Sequence, residues 1–529
     1  MFCFSSLVFN RPISYILPKC LCFLPPCLLF HIKFLEMKLR SGSTLFFIFL
    51  LSAIHGLAFA HADHDEEDGD NGDEMRLEMI HRYSPHAKDH GVHVEMPPTQ
   101  QELIQELYRH DVFRLQMMAQ KRQQNGHDQG LNSSSNSTRR MDMQIKHSMV
   151  MPINAGWDYG FGQYLVKLKV GTPSQKFLVI VGTGSDLTWV KCRSHCGKSC
   201  GIRKGRIERS RLFNRDRSST FKPVPCSSKM CEFDLANMFS LNKCPSPLSS
   251  CRYDYSYAEG SSASGTFGTD IIRASLSNGK RTRMKDVLIG CSESVIGKGS
   301  VKGSDGMLGF GLGRYSFATK AALKFGGKLS YCLLDHMSHK NVTSYLTFGA
   351  NKKAVLQGKM SYTQLIFSDR SVGAIYGVHL QGISVGGQML NIPLHIWNPK
   401  LGGGTLLDSG SSLTFLTKPA YKPVMTALTK PLTKLRRLSS GGDGFDFCFD
   451  PRGYRDRLVP KLVFHFAGGA KFAPPVKNYV IDISPGKKCI ALVSATEGPC
   501  VIGNILQQNH LWEFNLVRKT LGFAPSTCT

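Results

Sequence analysis

The chain has 529 residues, of which 42% are hydrophobic and 20% are charged, and it contains 51 glycines. This composition is typical of a turn-rich, mostly β protein long enough for two or more packed regions. The net charge is +26, but Lys and Arg are scattered and no groove-reading motif accompanies them. We therefore expect a basic surface that attracts anionic polymers or membranes, and no nucleic-acid partner. No apolar stretch after residue 60 is long enough for a stable membrane span.

Residues 37–60 have the layout of a secretory signal peptide. A short basic region follows Met37, residues 45–54 are apolar, and Ala58-Phe59-Ala60 offers a small-x-small cleavage site. We interpret residues 1–36 as an N-terminal extension assigned upstream of the true start at Met37. The signal peptide directs the protein to the secretory pathway, and so to the apoplast, another extracellular space or the vacuole. The alternative is a two-part anchor or an organelle leader, which would place the protein in the chloroplast.

Residues 61–150 are predicted to form a prosegment and its linker. Apolar residues recur at helical spacing between Arg and Lys within 99–126, which predicts a basic amphipathic helix. These residues are Leu103, Ile104, Leu107, Val112 and Leu115. A Ser-rich stretch with sequons at Asn132 and Asn136 follows, as in an exposed and cleavable joint. Such a helix can cover an acidic cleft until it is removed; the alternative is an ordinary surface helix.

A turn of similar sequence occurs twice, in LVIVGTGSDLTWV at 178–190 and in GTLLDSGSSLTFL at 404–416. Each copy runs from an apolar strand through a Thr/Ser-Gly-Ser turn to Leu-Thr-aromatic. Each is followed later by an apolar-apolar-Gly step, at 306–311 and at 500–504. The repeat predicts two similar lobes that face each other, which we place at 151–350 and 351–529. In the second copy Asp408 stands where the first copy has Gly182.

These motifs, together with YDYSYAEGS, LSYCLLDH and IGNILQQNHLWEFNL, resemble the plant pepsin-type aspartic proteases of family A1. Within that family the chain is most similar to the nepenthesin-like, NANA-type group, over about residues 160–528. The resemblance implies a mostly β, bilobal fold with an interlobe cleft that takes a peptide or protein substrate. It implies no cofactor and no metal, and we expect a monomer.

Proteases of this family cleave a peptide bond with a water held between two carboxylates, one from each lobe. The two carboxylates share one proton, so the ionised member takes a proton from the water while the protonated member donates towards the scissile carbonyl. Asp408 matches the second carboxylate. Gly182 occupies the position of the first, which leaves the dyad incomplete.

Other residues match the family's supporting positions. Thr183 and Ser409 match the hydroxyl residues that brace the two turns against each other. Gly184 and Gly410 match the positions where the turns close too tightly for a Cβ.

Two aromatic residues match the flap, a hairpin that folds over the substrate. Tyr257 matches the flap tyrosine, and Trp189 matches the indole that holds it by a hydrogen bond. Taken singly, each aromatic residue is equally compatible with simple core packing.

The missing carboxylate predicts a protein that is inactive or severely impaired as a peptidase. Asp186 and Asp305 are interpreted as structural residues that stabilise loops, and not as substitutes. Two alternatives stay open. In the first, Gly182 is a sequence error for Asp, whose codon differs from that of Gly by one base, and the protein is an active acid endopeptidase. Alternatively, the fold serves as a non-proteolytic binding protein, as plant inhibitors of microbial xylanases do.

Thirteen of the 17 cysteines follow residue 150, and with a signal peptide they indicate disulfides. The resemblance implies a short loop closed by Cys226 and Cys231 and a second-lobe bridge between Cys448 and Cys489. Cys500 departs from the family pattern and is the candidate free thiol. The spacing of three further cysteines would also suit zinc, although an insertion rich in cysteine fits it better; these are Cys192, Cys196 and Cys200. Asn341 begins a sequon that predicts a glycan.

Overall fold

The computed structural model describes residues 74–84, 89, 97–112, 115, 164–182, 186–193, 211–239, 241–242, 244–256, 262–276, 280–296, 304–334, 344–351, 354–366, 376–401, 403–439, 444–496 and 498–528. The predicted signal peptide, the linker sequons, Thr183, Gly184, Tyr257 and Asn341 lie outside these ranges. Within them, no helix is both long and apolar enough to cross a membrane.

Strands make up most of the ordered structure, as predicted. The strands up to residue 350 are β1 (Met75–His81), β2 (Tyr164–Val170), β3 (Gln175–Gly182), β4 (Trp189–Lys191), β5 (Lys222–Pro223), β6 (Arg252–Ser256), β7 (Ser262–Ser275), β8 (Arg281–Ile296), β9 (Gly306–Gly309), β10 (Lys328–Cys332) and β11 (Ser344–Phe348). Those that follow are β12 (Ser361–Ile366), β13 (Gly377–Val378), β14 (Leu380–Val385), β15 (Gln388–Met389), β16 (Thr405–Leu407), β17 (Thr414–Thr417), β18 (Arg437–Leu438), β19 (Cys448–Phe449), β20 (Leu462–Phe466), β21 (Lys471–Phe472), β22 (Val480–Ser484), β23 (Lys487–Ile490), β24 (Leu492–Ala495), β25 (Cys500–Ile502), β26 (His510–Asn515) and β27 (Thr520–Pro525).

Helices are few and short. The α-helices are 100–112, Ala236–Met238, which continues a π-helical turn at Met230–Leu235, Phe317–Lys324, Lys418–Thr429 and Asn504–Gln507. Single 3₁₀ turns occupy Arg215–Arg217, Leu394–Trp397, Pro399–Leu401, Lys430–Leu432, Asp456–Leu458, Ala467–Gly469 and Val476–Asn478. The helix that starts at Phe317 is capped by Ser316, whose hydroxyl accepts the Thr319 N–H at 3.1 Å.

A six-stranded antiparallel sheet joins the two halves of the chain. Its strand order is β12-β27-β26-β10-β11-β1. Three of these strands come from the first half of the chain and three from the second. The sheet therefore joins the two lobes through direct strand pairing between β10 and β26.

The repeated sequence motif folds the same way in both halves. In the first half β3 runs parallel to β9, so that Gly182 pairs with Gly309, and β4 returns antiparallel to β9. In the second half β16 runs parallel to β25 and β17 returns antiparallel to it. This correspondence supports the bilobal fold predicted from the repeat.

Five disulfides join described cysteines, and they are Cys192–Cys291, Cys226–Cys244, Cys231–Cys251, Cys332–Cys528 and Cys448–Cys489. The Cys448–Cys489 bridge agrees with the expected pairing. Cys192 is in a disulfide and cannot serve as a zinc thiolate; Cys196 and Cys200 lie outside the described residues. Cys500 is free and buried, in agreement with its predicted role as the unpaired thiol.

The expected Cys226–Cys231 bridge is wrong. The chain folds back so that residues 249–251 lie beside 224–226, with an antiparallel bridge between Pro225 and Ser250. This return brings two further cysteines to the site, and each bonds one of the original pair. Although the sulfurs of Cys226, Cys231 and Cys244 lie within 4.8 Å of one another, all three are oxidised in disulfides and offer no thiolate to a metal.

The Cys332–Cys528 bridge fixes the end of the chain to β10 and spans 196 residues. Replacing both cysteines with Ser is expected to lower the free energy of unfolding by about 3–5 kcal/mol, because the bridge restricts the unfolded chain. Denaturant unfolding measures the change, with Cys500→Ala as a single-cysteine control that leaves every bridge intact. Equal midpoints for the double variant and the parent would show that this bridge contributes nothing.

Cys500 lies in β25, and burial raises the pKa of its thiol. Its sulfur is 3.8 Å from the Thr417 hydroxyl. We expect iodoacetamide to leave Cys500 unmodified in the native protein and to alkylate it after denaturation, because the thiolate is the reactive form. Peptide mapping by mass spectrometry checks this; rapid native labelling at residue 500 would contradict the buried position.

Candidate active site

Asp408 follows directly after β16 and is fully buried. Its Oδ1 accepts the Gly410 N–H at 2.9 Å, and its Oδ2 accepts the Ser411 hydroxyl at 2.7 Å. Its own N–H donates to the Ile502 carbonyl at 3.1 Å. The carboxylate is therefore held in one orientation by the turn that it begins, which suits a group that must present a fixed oxygen to a ligand.

The turn after Asp408 is fastened to the short helix Asn504–Gln507. The Asn504 side-chain amide donates to the Ser409 carbonyl at 3.0 Å, and the Asn504 N–H donates to the Ser411 carbonyl at 2.7 Å. Asn504 is fully buried. Asn504 directly follows the glycine of the second apolar-apolar-Gly step, but no role for it is evident from the sequence alone.

Gly182 occupies the equivalent place in the first half. It is the buried last residue of β3, it pairs with Gly309, and its carbonyl accepts the Phe310 N–H at 3.1 Å. The backbone frame of the first loop is thus preserved up to the position where the second loop has Asp408. At that position the first half supplies no carboxylate.

A matched pair of hydroxyl contacts supports the two loops. Thr188 Oγ1 accepts the Gly309 N–H at 3.0 Å, and Thr414 Oγ1 accepts the Gly503 N–H at 3.1 Å. A Cβ at Gly309 or at Gly503 would lie 2.3 or 2.1 Å from a backbone oxygen of the neighbouring loop. The Leu-Thr-aromatic triplet recurs in both copies of the sequence motif, but the contact of its threonine with the glycine step is evident only from the structure.

Asp186 belongs to the first loop and joins it to Gly313 by a hydrogen bond. Its Oδ1 accepts the Gly313 N–H at 2.7 Å, and the carboxyl group fills the space that a Cβ at Gly313 would need. Burial raises the pKa of Asp186 to about 6, although the hydrogen bond from Gly313 opposes that shift. The predicted structural role of this residue agrees with these contacts.

Asp305 is likewise engaged with the backbone. Its Oδ2 accepts the Leu178 N–H at 2.7 Å and its Oδ1 accepts the Arg211 N–H at 3.0 Å, while the Arg211 guanidinium lies 3.2 Å from Oδ2. These bonds tie β3 to the segment that begins at residue 211. Asp305 therefore stabilises the fold, as expected.

Beneath the second loop lies a buried chain of hydrogen bonds. The Tyr331 hydroxyl donates to Gln507 Oε1 at 2.6 Å, Gln507 Nε2 donates to the Ile502 carbonyl at 2.7 Å, and the Trp512 indole donates to the Gln507 carbonyl at 2.9 Å. Burial, with a further contribution from nearby groups that include Asp408, raises the pKa of Tyr331 well above its ordinary value. The Tyr331 phenol consequently stays neutral and acts as a fixed donor.

Trp189 is fully buried and belongs to an apolar cluster that contains Tyr253 and Tyr255 from β6. This position beside the strand that leads to residue 257 is compatible with the flap role expected from the resemblance. Because Tyr257 lies outside the described residues, the hydrogen bond between the two side chains stays a prediction. The bracing of Thr183 against Ser409 stays a prediction for the same reason.

The raised pKa of Asp186 predicts a pH-dependent stability. As the pH falls, an Asp whose folded pKa is about 6 binds its proton at a higher pH in the native state than in the unfolded chain. The ionised side chain therefore destabilises the fold above pH 6, and this effect disappears as the pH falls towards 4. Asp186→Asn, whose amide oxygen can still accept from Gly313, should stabilise the protein by up to about 3 kcal/mol at pH 7 and by little at pH 4. Thermal unfolding at both pH values measures the difference, with exposed Asp254→Asn as control. A stabilisation that is the same at both pH values would contradict the assignment.

Comparisons with known proteins agree with this geometry. Residues 164–350 match the family described as "Xylanase inhibitor N-terminal", and residues 375–525 match the one described as "Xylanase inhibitor C-terminal". Aspartyl protease family protein 2 of Arabidopsis thaliana is 32% identical over 71% of this chain and 73% of its own length. Aspartic proteinase nepenthesin-1 of Nepenthes gracilis is 31% identical over 70% of this chain and 79% of its own.

Solved structures show the same fold at lower sequence identity. Basic 7S globulin from soybean superposes with a TM-score of 0.55 at 19% identity, over 70% of this chain and 92% of the globulin. Conglutin gamma, a basic 7S globulin from lupine seeds, superposes with a TM-score of 0.54, also at 19% identity, over 68% of this chain and 91% of its own. Paired loops of one design, an Asp at the tip of the second, and relatives that match over most of their length together establish that this chain belongs to the plant pepsin-like aspartic protease family.

Proposed function

We propose that this protein binds peptide or protein segments in a pepsin-like interlobe cleft and is silent, or severely impaired, as a peptidase. The observation that carries the proposal is Gly182, which stands at the end of β3 where the equivalent position of the second half carries Asp408. The strands that lead to the two positions pair in the same parallel way, β3 with β9 and β16 with β25, which supports a cleft that can still receive a ligand.

The chemistry of the reaction explains the loss. Peptide hydrolysis by this family needs one group to accept a proton from water and another to donate one to the substrate. Asp408 can serve only one of these roles at a time, and its two oxygens already accept from Gly410 and Ser411. Loss of one acid–base partner costs on the order of 10²–10⁴ in rate, and more where two groups act as a unit.

Neighbouring carboxylates are poor substitutes. Asp186 accepts the Gly313 N–H, and Asp305 accepts two backbone N–H groups and faces the Arg211 guanidinium. Moving either side chain into the position of a catalytic acid would leave those N–H donors without their acceptor, which costs free energy, most of all for the buried Leu178 N–H. A rescued dyad is therefore not part of the proposal.

The names of relatives favour two narrower candidates. Relatives named as aspartic proteinases favour an acid endopeptidase, which would require Asp at position 182 in the native protein. The families described as xylanase inhibitor, and solved neighbours named as globulins, favour a non-proteolytic binding role. Inhibition of a microbial xylanase by the purified protein would support that binding role directly.

The five disulfides support a location in an oxidising compartment. We therefore propose passage through the secretory pathway, with the vacuole or the extracellular space as the destination. Secretion of a fluorescent fusion by plant cells tests this; import into chloroplasts would favour the organelle leader.

The decisive experiment is a proteolysis assay of the sequence-verified chain on acid-denatured haemoglobin at pH 3–5, with and without pepstatin. We expect no pepstatin-sensitive cleavage by the parent and a gain of at least about 10²-fold in Gly182→Asp, because the second carboxylate restores the proton donor. Each protein is assayed before and after cleavage of the linker, so that an intact linker cannot conceal activity.

Two matched variants control the assay. Gly182→Ala adds a side chain without a carboxyl group and should stay inactive. Gly182→Asp combined with Asp408→Asn should lose the gained activity. Pepstatin-sensitive digestion by the parent chain would refute the silent function and establish the endopeptidase.

A further inference from the structure

The N-terminal segment, residues 74–115 as far as the structure describes them, is built into the folded protein. Its strand β1 forms one side of the six-stranded sheet, where residues Met75–Met79 pair with β11. The last two residues of β1 continue the pairing onto β2. Both contacts are made through backbone hydrogen bonds, so β1 ties the central sheet to the first lobe.

The helix 100–112 begins with a reciprocal cap. The Thr99 hydroxyl accepts the Glu102 N–H at 3.2 Å, and the Glu102 carboxylate accepts the Thr99 N–H at 3.1 Å. Gln100 donates from its side chain to the Asp482 carbonyl of the second lobe at 2.8 Å. The cap fixes where the helix starts and so fixes which side chains face the second lobe.

The apolar face of this helix joins the core of the second lobe. Leu103, Ile104 and Leu107 are buried in one cluster with residues of the repeated motif. The residues of that motif in the cluster are Leu406, Leu413, Phe415 and Val501, and Ile505 directly follows it.

A second close approach lies beside this cluster. Gly444 has a φ of +77°, and a Cβ there would lie 2.2 Å from the Tyr108 ring. The helix thus packs closely on the lobe along its length.

Asp111 connects the helix to the loop that carries Asp408. It is fully buried, and its Oδ2 accepts the N–H groups of both Ser412 and Leu413, at 2.8 and 2.7 Å. These two amides lie in the loop between the catalytic position and β17. Two short bonds to one carboxylate oxygen fix the peptide planes at this point.

The corresponding face of the first lobe, formed by the first copy of the repeated motif, is covered by different residues. There Ile180, Leu187 and Trp189 pack against side chains of the lobe itself, which include Cys231, Leu235 and Phe239 from the helical turn at 230–238 and the residue after it. The second lobe receives the corresponding cover from the N-terminal helix. That helix therefore fills a place that the fold would otherwise leave open.

We propose that residues 74–115 are a retained part of the protein and that Asp111 is a positioning residue for the Asp408 loop. Cleavage in the linker then produces two chains that stay associated, with the N-terminal piece acting as a bound subunit. This differs from the expectation of a removable prosegment. The proposal does not depend on whether the protein hydrolyses peptides.

The first test places a site-specific protease sequence in the Ser-rich linker at residues 131–138 of the full chain. After complete cleavage, size-exclusion chromatography and intact mass spectrometry are run at pH 7 and at pH 4. We expect the N-terminal piece to co-elute with the remainder at both pH values. Its release without denaturant at either pH would overturn retention.

The second test measures amide hydrogen exchange at Ser412 and Leu413. Asp111→Ala should speed exchange at these two amides by about tenfold or more, because it removes their shared acceptor. Asp111→Asn keeps an amide oxygen in place and should exchange more slowly than Asp111→Ala; it also provides the measurement against the parent if the Ala variant does not fold.

Arg109→Ala is the matched control for the second test, because Arg109 donates from its side chain to the Gln105 carbonyl on the same helix and its removal leaves Asp111 in place. It should leave exchange at residues 412–413 unchanged. Exchange at these amides that is unaltered in the Asp111 variants, or raised equally by Arg109→Ala, would overturn the positioning role.

Discussion

Each of the two repeated loops depends on a backbone-to-backbone contact with a glycine at the end of the adjacent strand. Gly309 and Gly503 let the loop carbonyls approach to a distance that any side chain would forbid, and a threonine of each loop accepts the glycine N–H. The contact fixes where each strand ends and where its turn begins. The orientation of Asp408, the position of Gly182 and the placing of Asp186 all follow from this constraint, because each residue lies within a few positions of the crossing.

Sequence analysis could predict the parts of this arrangement that repeat along the chain. The paired motif indicated two lobes, placed Asp408 in the second turn and identified Gly182 as its counterpart, because strand, turn and glycine step recur in one order. The disulfide partners of Cys226 and Cys231 could not be predicted, because they lie in residues 244–251, which return beside these cysteines only in the folded chain. The contact of Asp111 with the Asp408 loop could not be predicted either, because its partners lie about 300 positions away and are backbone amides, which leave no pattern in the sequence.

Gly182 leaves the first half without a carboxylate at the position that corresponds to Asp408. The hydrogen bonds of Asp408, the fastening by Asn504 and the buried chain from Tyr331 to Trp512 are all present. None of these contacts needs a second acid to form, because each is made within the second half of the chain or from the central sheet. The described contacts that shape the Asp408 loop therefore do not depend on a carboxylate at position 182.

The six-stranded sheet also constrains how the molecule is assembled. Its members come from residues 75–81, 328–332, 344–348, 361–366 and 510–525, so strands made late in synthesis pair with strands made much earlier. Contacts between such distant positions form slowly, because a large loop must close before any of them is gained. During synthesis the first lobe therefore has an unpaired sheet edge until residues 510–515 have been made. A chain that stops short of residue 510 would expose that edge to aggregation and would not yield a stable half-molecule.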